Sequence, residues 1–200
     1  MDKPAPTDHP IHPLLSTRWS PRSFASHPVS ADQLARLLEA ARWAPSSFNE
    51  QPWAFLVATS DDQPSFTKML TCLIEGNRAW ATAAPVLMLT FAHKTFVKNG
   101  KDNPHAWHDV GQAIANLTVQ ATSEGLVVHQ MAGILPDHIR EIYSIPNNWS
   151  PVAGAAIGHP GDPNLLPEKL RERELAPRER KPVSAFVFQG GWGEPWRSQR

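Results

Sequence analysis

Prolines limit the length of the regular elements that this chain can form. Twenty of the 200 residues are proline, and most of them lie between segments with a clear apolar pattern. Because proline has a fixed φ and no N–H, it ends helices and sets turns. The sequence therefore predicts a series of short helices and strands, and its length suits one compact domain with a sizeable core.

Three segments show the apolar spacing of helices. The first begins at a capping box over residues 30–33 and ends near Trp43. The second spans 64–79. The third, 109–124, has the strongest pattern, so we predict that it is the central buried helix, capped by Gly125. Shorter segments follow at 136–143, predicted to be helical, and at 169–175, predicted to be a charged helix or a loop.

Five apolar runs are predicted to be strands. The run at 85–92 is apolar on both faces, as expected of a strand in the middle of a sheet. Strands and helices alternate, which predicts a sheet of four or five strands with helices on both faces. The predicted strands are Trp53–Thr59, Pro85–Ala92, Leu126–Met131, Val152–Gly158 and Val183–Phe188.

Charge and cysteine content argue against several classes of protein. Nineteen basic residues balance nineteen acidic ones, so no large positive field is available for nucleic acid or an anionic membrane. Cys72 is the only cysteine, which excludes an intrachain disulfide and a cysteine zinc cluster. No apolar run approaches the ~18 residues that span a bilayer, and the N-terminus lacks a secretory signal. We therefore expect a cytoplasmic protein with no nucleic-acid or membrane partner.

Several nucleotide and metal motifs are absent from the sequence. It has no G-x-G-x-x-G turn and no P-loop, which argues against a simple doubly wound nucleotide fold and an ordinary NTPase. The nine histidines show no metal-ligand spacing, so we predict no metal site.

Two arginines and two serines lie within seven residues, from Arg18 to Phe24. Guanidinium forks match phosphate, and a serine hydroxyl between them can donate a further bond. The same residues also fit a solvated basic turn, and the later basic segment 171–181 also fits a solvated charge run. Considered alone, the two segments leave both interpretations open.

The order of the motifs resembles that of the nitroreductase family of flavin enzymes. Arg18-x-Ser20-x-Arg22-x-Phe24 is followed by a capped helix and then by APSSFNEQPW at 44–53, which is the most specific motif. The resemblance runs from about residue 14 to residue 188. Its later segments are Asn77–Trp80, Asp109–Leu117, Met131–Ile134 and Arg178–Pro182.

This resemblance implies an α+β, three-layer fold with a central mixed sheet and helices on both faces. It implies a homodimer with one FMN in each of two sites at the dimer interface. We expect a single nitroreductase-like domain over residues 1–200, with a flexible segment at 1–12 and a C-terminal tail at 190–200.

The resemblance also implies where FMN binds. The arginine and serine motifs would hold the phosphate, and the 45–49 turn, which the partner subunit supplies in the family, would bond the ring edge. The small residues at 132–133 would let a backbone N–H approach N5, the flavin atom that accepts hydride. A plain helix-ending turn and a plain turn glycine are the alternatives there. The expected FMN-binding residues are Arg18, Trp19, Ser20, Arg22, Pro45, Ser46, Ser47, Asn49, Asn77, Met131, Ala132, Gly133, Arg178 and Arg180.

The implied activity is hydride transfer from NADH or NADPH, through flavin N5, to small aromatic acceptors such as nitroaromatics or quinones. No protein side chain is required as a catalyst, because the flavin carries the hydride. We interpret 93–108 as a mobile loop or a short helix over the site, where His105 and His108 either contact substrate or lie on the surface. Ala115 and Ala132 depart from the family pattern and leave the polarity of the substrate pocket open. The alternatives are a non-enzymatic flavin-binding or storage protein, and a relative with other flavin chemistry.

Overall fold

A four-stranded sheet organises the computed structural model, which describes residues 3–196. The strands are β1 (Trp53–Thr59), β2 (Val86–His93), β3 (Val127–Met131) and β4 (Trp149–Gly158), in the spatial order β1-β2-β4-β3. All three pairings are antiparallel, so the sheet formed by the described residues is antiparallel. This corrects the expectation of a mixed sheet. β3 is an edge strand.

The helices begin and end largely where the sequence predicts. The capping box is present, because Ser30 Oγ accepts the Gln33 N–H at 3.1 Å and Gln33 Oε1 accepts the Ser30 N–H at 3.1 Å. The long central helix ends before Gly125, whose φ of 72° suits a glycine cap. The helices are α1 (Pro13–Thr17), α2 (Ala31–Arg42), α3 (Gln63–Leu70), α4 (Glu75–Ala81), α5 (Ala106–Ser123), α6 (Pro136–Tyr143) and α7 (Glu168–Leu175), with 3-10 turns at Ser47–Asn49, Pro163–Leu165 and Val183–Ala185.

Helices cover both faces of the sheet and make three layers. On one face, Leu37 of α2 and Leu117 of α5 pack against Met88 of β2. On the other face, Phe66 of α3 and residues of α4 and α6 pack against Leu87. Every residue of β2 before its last is buried, as predicted for a central strand. The expected α+β, three-layer fold is confirmed.

The predicted helix over 64–79 is wrong, because the structure divides it in two. α3 ends at Leu70, and α4 begins at Glu75. Between them Leu73 pairs with Ile134, and the Ile74 N–H donates to the Gly133 carbonyl at 3.1 Å. The apolar stripe is nevertheless a core stripe, since Leu73 is 1% exposed. A tertiary backbone contact therefore overrides a continuous helical pattern.

The predicted strand over 183–188 is also wrong. The segment forms a 3-10 turn at its start, and its Phe188 makes only an isolated bridge with Pro195. An apolar run becomes a strand only when a neighbouring strand pairs with it, and within residues 3–196 none does so here. The side chain of Phe186 is 61% exposed as a result.

The polar segment 93–108 forms a loop followed by the first turn of α5. Thr95 and Asp102 form an isolated bridge across the loop. The helix then begins at Ala106, slightly before the predicted start. Asn103 stabilises the backbone just before the helix, because its Oδ1 accepts the His105 N–H at 3.1 Å.

The two ends of the chain are described only in part. Lys3 donates to the Glu174 carbonyl at 2.5 Å, and the Ala5 N–H donates to the Ser16 carbonyl at 2.8 Å. The flexibility of residues 1–12 stays a prediction, and residues 1–2 lie outside the described residues. Of the expected tail, 190–196 form bends and turns, and 197–200 also lie outside. Among the helices of residues 3–196, none is long and apolar enough to cross a membrane.

An aromatic stack holds the middle of β3. The His129 ring lies 4.4 Å from the Trp80 ring, and Trp80 in turn stacks on Phe24 at 6.3 Å. His129 Nδ1 lies 2.9 Å from the Pro21 carbonyl oxygen, so the imidazole donates there. Burial, aided by the charge of Arg22 and opposed by the bond to Pro21, lowers the pKa of His129 to about 4. His129 is therefore neutral near pH 7.

We expect His129 to make the fold less stable in acid. Its pKa is about 4 in the native state and near 6.5 in an unfolded chain, so between these values the unfolded state binds more protons. Stability therefore falls as the pH falls through this window, by up to about 3 kcal/mol from this group. Urea denaturation from pH 7 to pH 4 should show a shallower pH dependence in His129→Gln than in the wild type.

The matched control is His105→Gln, which alters an exposed histidine. That variant should keep the wild-type slope of stability against pH. Equal slopes for wild type and His129→Gln would contradict the assignment.

Candidate functional site

Three arginines line one cleft of about 430 Å³ between the N-terminal segment and the segment after α7. The pKa of Arg18 is lowered by burial and then by the charges of Arg178 and Arg180, and burial and Arg180 lower the pKa of Arg178. Asp8 and Glu179 also line the cleft. In the described part of the chain, however, no carboxylate forms an ion pair with any of the three guanidinium groups. An uncompensated cluster of this kind favours an anionic ligand.

Arg178 uses its donors on the backbone. Its Nη1 donates to the carbonyl oxygens of Lys3 and Ser16, each at 2.8 Å, and its Nη2 donates to the Arg18 carbonyl at 2.8 Å. The side chain therefore joins the N-terminal segment, α1 and the start of the Arg18–Phe24 segment. Its contacts fix the backbone that carries Arg18.

Arg18 and Arg180 keep more of their donors available. Arg18 donates from Nη1 to Ser20 Oγ at 3.3 Å, and Arg180 donates from Nη1 to the Glu179 carbonyl at 2.6 Å. The remaining guanidinium N–H groups have no acceptor within residues 3–196. Arg18 and Arg180 are therefore the guanidinium groups of the cleft with the most donors left over, and the Ser20 hydroxyl lies beside Arg18.

Arg22 and Trp19 point elsewhere. Arg22 does not line the cleft, and its Nη1 lies 3.9 Å from Glu174 Oε2. Trp19 lies under the Lys3 ammonium, 5.0 Å from ring centroid to nitrogen, and lines a neighbouring cleft. The structure therefore does not bring these two predicted residues into the cleft.

Glu174 is a buried residue beside the candidate site that the sequence analysis missed. Its carboxylate accepts the Arg22 N–H at 2.9 and 3.0 Å and the Ser23 N–H at 3.1 Å. The residue is 1% exposed, although it lies in a run of alternating charges that is typical of a solvated surface. The sequence offers no signal that separates it from its exposed neighbours.

A second group of predicted residues meets at the end of β3. Asn77 Nδ2 donates to the Gly133 carbonyl at 3.0 Å. A Cβ at Gly133 would lie 2.5 Å from Asn77 Nδ2 and from Ile74 Cδ1, so this close approach requires glycine. The N–H groups of Ala132 and Gly133 find no acceptor among residues 3–196. The loop therefore presents two free backbone donors at one place.

β3 connects this loop to the arginine segment. His129 bonds to Pro21, and the strand continues through the buried Met131 to Ala132 and Gly133. At the rise of an extended strand, His129 and Gly133 are separated by about 13 Å. β3 thus runs from its contact with the arginine segment to the loop that presents the free backbone donors.

The predicted 45–49 turn is strained. Phe48, Asn49 and Gln51 have φ values of 54°, 56° and 50°, which non-glycine residues rarely adopt. Residues held in this region cost free energy, and they persist where the surrounding structure fixes them. The Ser46 hydroxyl contributes by accepting the Gln51 N–H at 3.0 Å.

A second buried carboxylate fixes this turn. Asp109 is 2% exposed, and its Oδ2 accepts the Ser47 N–H at 3.0 Å. Its Oδ1 lies 3.1 Å from His108 Nδ1 and 3.5 Å from Gln112 Nε2. Gln112 also donates to the Pro45 carbonyl at 3.4 Å. The first turns of α5 therefore hold both ends of the Pro45–Ser47 stretch.

Within one chain, the turn and the arginine cleft lie at opposite ends of α5. Asp109 bonds to the turn in the first turn of the helix. Arg18 and Trp19 instead line a small cleft with Thr122, at the other end. The helical rise from Asp109 to Thr122 is roughly 20 Å. One chain therefore brings together the arginine, Asn77 and Gly133 parts of the predicted site but not the 45–49 turn.

Exposed apolar side chains surround the turn. Phe48 is 91% exposed, and Val97, in the loop after β2, is 77% exposed. The Phe48 ring packs edge-to-face against Phe96 at 5.9 Å.

In the part of the chain that the structure describes, no cluster of His, Cys, Asp or Glu side chains could hold a metal ion.

Several known proteins are similar to this chain in sequence and in fold. The FMN reductase [NAD(P)H] of Bacillus subtilis is 27% identical over 82% of this chain and 72% of its own length. A solved oxidoreductase containing FMN is 35% identical, with a TM-score of 0.89 over 95% of this chain and 96% of its own. A nitroreductase family protein from Clostridium difficile is 26% identical, with a TM-score of 0.69 over 89% and 96% of the two chains. The family model described as Nitroreductase family matches residues 15–159, so the chain belongs to the nitroreductase family.

Proposed function

We propose that this protein is an FMN-dependent oxidoreductase that transfers hydride from NADH or NADPH to small acceptors such as nitroaromatics or quinones, and that it works as a homodimer. The observation that carries the proposal is the pairing, along β3, of an uncompensated arginine cleft with free backbone donors. The similar oxidoreductase that contains FMN and the similar FMN reductase [NAD(P)H] support the choice of cofactor and electron donor.

The arginine cleft fits the phosphate of FMN. A phosphate dianion binds best where charged donors are already in place. Arg18 and Arg180 supply uncompensated guanidinium groups, and Ser20 supplies a hydroxyl beside them. Arg178 and Arg22 act indirectly, because their contacts fix the backbone that carries Arg18 and Ser20.

The loop after β3 fits the flavin ring. When bound, FMN accepts hydride from a reduced nicotinamide and passes it to an acceptor. The N–H groups of Ala132 and Gly133 would donate to the ring at that position, and Asn77 holds the loop in place. The flat ring needs close backbone approach, which the absence of a side chain at Gly133 allows.

The geometry of α5 favours a site shared by two subunits. The 45–49 turn and Arg18 lie beside opposite ends of α5, whose rise from Asp109 to Thr122 is roughly 20 Å, and this separation argues against one subunit bringing both to one flavin. A partner subunit could supply the turn. The exposed Phe48 and Val97 beside it would then be covered on association, which removes apolar surface from water.

The first test is reduction of the bound flavin. The purified protein should be yellow, release FMN on denaturation, and lose its flavin absorbance when NADH or NADPH is added without oxygen. Addition of a quinone or a nitroaromatic compound should restore the absorbance. A colourless protein would contradict the proposal, and FMN that no nicotinamide bleaches would favour a storage protein.

Arg18→Ala should weaken FMN binding about tenfold to a hundredfold, because a charge-assisted bond to the phosphate is lost. Activity should return in part when excess FMN is added. Arg173→Ala is the matched control, since it removes the same charge from an exposed position on α7. Titration of apoprotein with FMN, followed by fluorescence, measures both. An unchanged dissociation constant in Arg18→Ala would remove this residue from the phosphate site.

Gly133→Ala should weaken FMN binding about fivefold or more, since the new Cβ displaces Asn77 Nδ2 and opens its bond to the Gly133 carbonyl. The rate of flavin reduction in stopped-flow experiments should fall as well. Gly111→Ala is the control, because a Cβ there meets no atom within 4 Å. Wild-type values for Gly133→Ala would mean that the loop does not approach the ring.

A further inference from the structure

We propose that Glu174 and Asp109 are positioning residues for opposite halves of the FMN site. Glu174 positions the half built on Arg18–Phe24, and Asp109 positions the half built on the 45–49 turn. The proposal rests on the proposed function, in which each FMN takes one half from each subunit. Neither side chain is proposed to touch the flavin, because each acts through the backbone that it holds.

Glu174 and Asp109 share an uncommon environment. Among the charged side chains of residues 3–196, these two are the buried ones, at 1% and 2% exposure. A buried carboxylate is costly unless hydrogen bonds satisfy it. Both accept backbone N–H groups from a segment expected to bind FMN. Each carboxylate therefore fixes the backbone of one half-site and has no comparable effect on the rest of the core.

Glu174 fixes the direction of the arginine segment. Two successive N–H groups, those of Arg22 and Ser23, point at its carboxylate, and the Arg22 guanidinium lies 3.9 Å away. The Ser23 hydroxyl donates to the Asp162 carbonyl at 2.7 Å, which anchors the same turn from a second side. The backbone that leads back to Arg18 is thereby held against α7.

Asp109 fixes the strained turn. Its bond to the Ser47 N–H lies directly before the left-handed Phe48 and Asn49. Gln112, which donates to both Asp109 and the Pro45 carbonyl, extends the contact along the turn. Without the carboxylate, the Ser47 N–H would lack a partner and the left-handed residues could relax to ordinary backbone angles.

This arrangement predicts two complementation groups. Arg18 and Glu174 lie in one half-site, and Asp109 and Asn49 lie in the other. A heterodimer with one defect from each group contains one doubly defective site and one intact site. A heterodimer with two defects from the same group, one on each subunit, contains no intact site. General destabilisation of the fold would not produce this difference.

The experiment uses full-length subunits with two affinity tags, coexpressed and purified as heterodimers, with FMN binding measured by titration. Glu174→Gln and Asp109→Asn homodimers should bind FMN about tenfold more weakly at both sites, since a charged acceptor is replaced by a neutral one. The Glu174→Gln/Asp109→Asn heterodimer should bind one FMN per dimer with wild-type affinity. The Arg18→Ala/Glu174→Gln heterodimer should bind none with wild-type affinity.

Two conservative control variants and a graded series of substitutions at position 109 accompany this test. Glu172→Gln on α7 and Asp137→Asn on α6 make the same chemical changes at exposed positions and should leave FMN binding unchanged. FMN affinity should fall in the order Asp, Asn, Ala at position 109, because Asn keeps an acceptor for the Ser47 N–H. If the alanine variant does not fold, the isosteric pair alone decides the outcome.

A separate heterodimer distinguishes failure of this inference from failure of the proposed function. Arg18→Ala paired with Asn49→Ala tests the shared site without either carboxylate. If that heterodimer regains one wild-type site but Glu174→Gln/Asp109→Asn does not, the inference is overturned and the shared site stands. A wild-type site in Arg18→Ala/Glu174→Gln would also overturn it. If Arg18→Ala/Asn49→Ala regains no site, the shared site of the proposed function fails.

Discussion

The position of β4 between β2 and β3 determines how the candidate site is built. β4 is rich in small residues, and two of its glycines lie in close contact with the elements that form the candidate site. A Cβ at Gly158 would lie 2.5 Å from Pro85 and 3.0 Å from Phe24, the last residue of the arginine segment. A Cβ at Gly154 would lie 3.2 Å from Leu73 and 3.3 Å from Ile134, beside the Gly133 loop. Small residues in β4 thus let both parts of the candidate site pack against the same face of the sheet.

The length of α5 determines what a single subunit can assemble. The helix is buried along its length against the sheet and α2, so the features at its two ends cannot approach each other without disrupting the core. One end carries the turn held by Asp109, and the other lies beside Arg18. This rigid spacing supports the shared site of the proposed function.

Local signals predicted much of the fold, and long-range contacts account for the failures. The bounds of β1 and α6 follow from apolar runs closed by turn residues, and the capping box follows from residues 30–33 alone. The break between α3 and α4 depends on Gly133, far along the chain, and the 183–188 run lacks the strand partner that its pattern expects. For the site, composition left the role of the arginines open, and the order of the motifs singled them out. It could not show that Arg178 bonds to carbonyl oxygens or that Glu174 is buried, because both lie in one uniform charge run.

The distribution of the acidic residues explains how a protein with zero net charge can keep a local cluster of arginines without carboxylate partners among residues 3–196. Glu174 lies on α7, only a few residues from Arg178, yet its charge is satisfied by the N–H groups of Arg22 and Ser23. Among residues 3–196, Arg18 and Arg180 are left without a carboxylate partner, and burial, followed by repulsion from Arg178 and Arg180, lowers the pKa of Arg18. An anion that enters the cleft relieves this repulsion. The buried carboxylate therefore stabilises the arginine segment without neutralising the charge that the segment presents to a ligand.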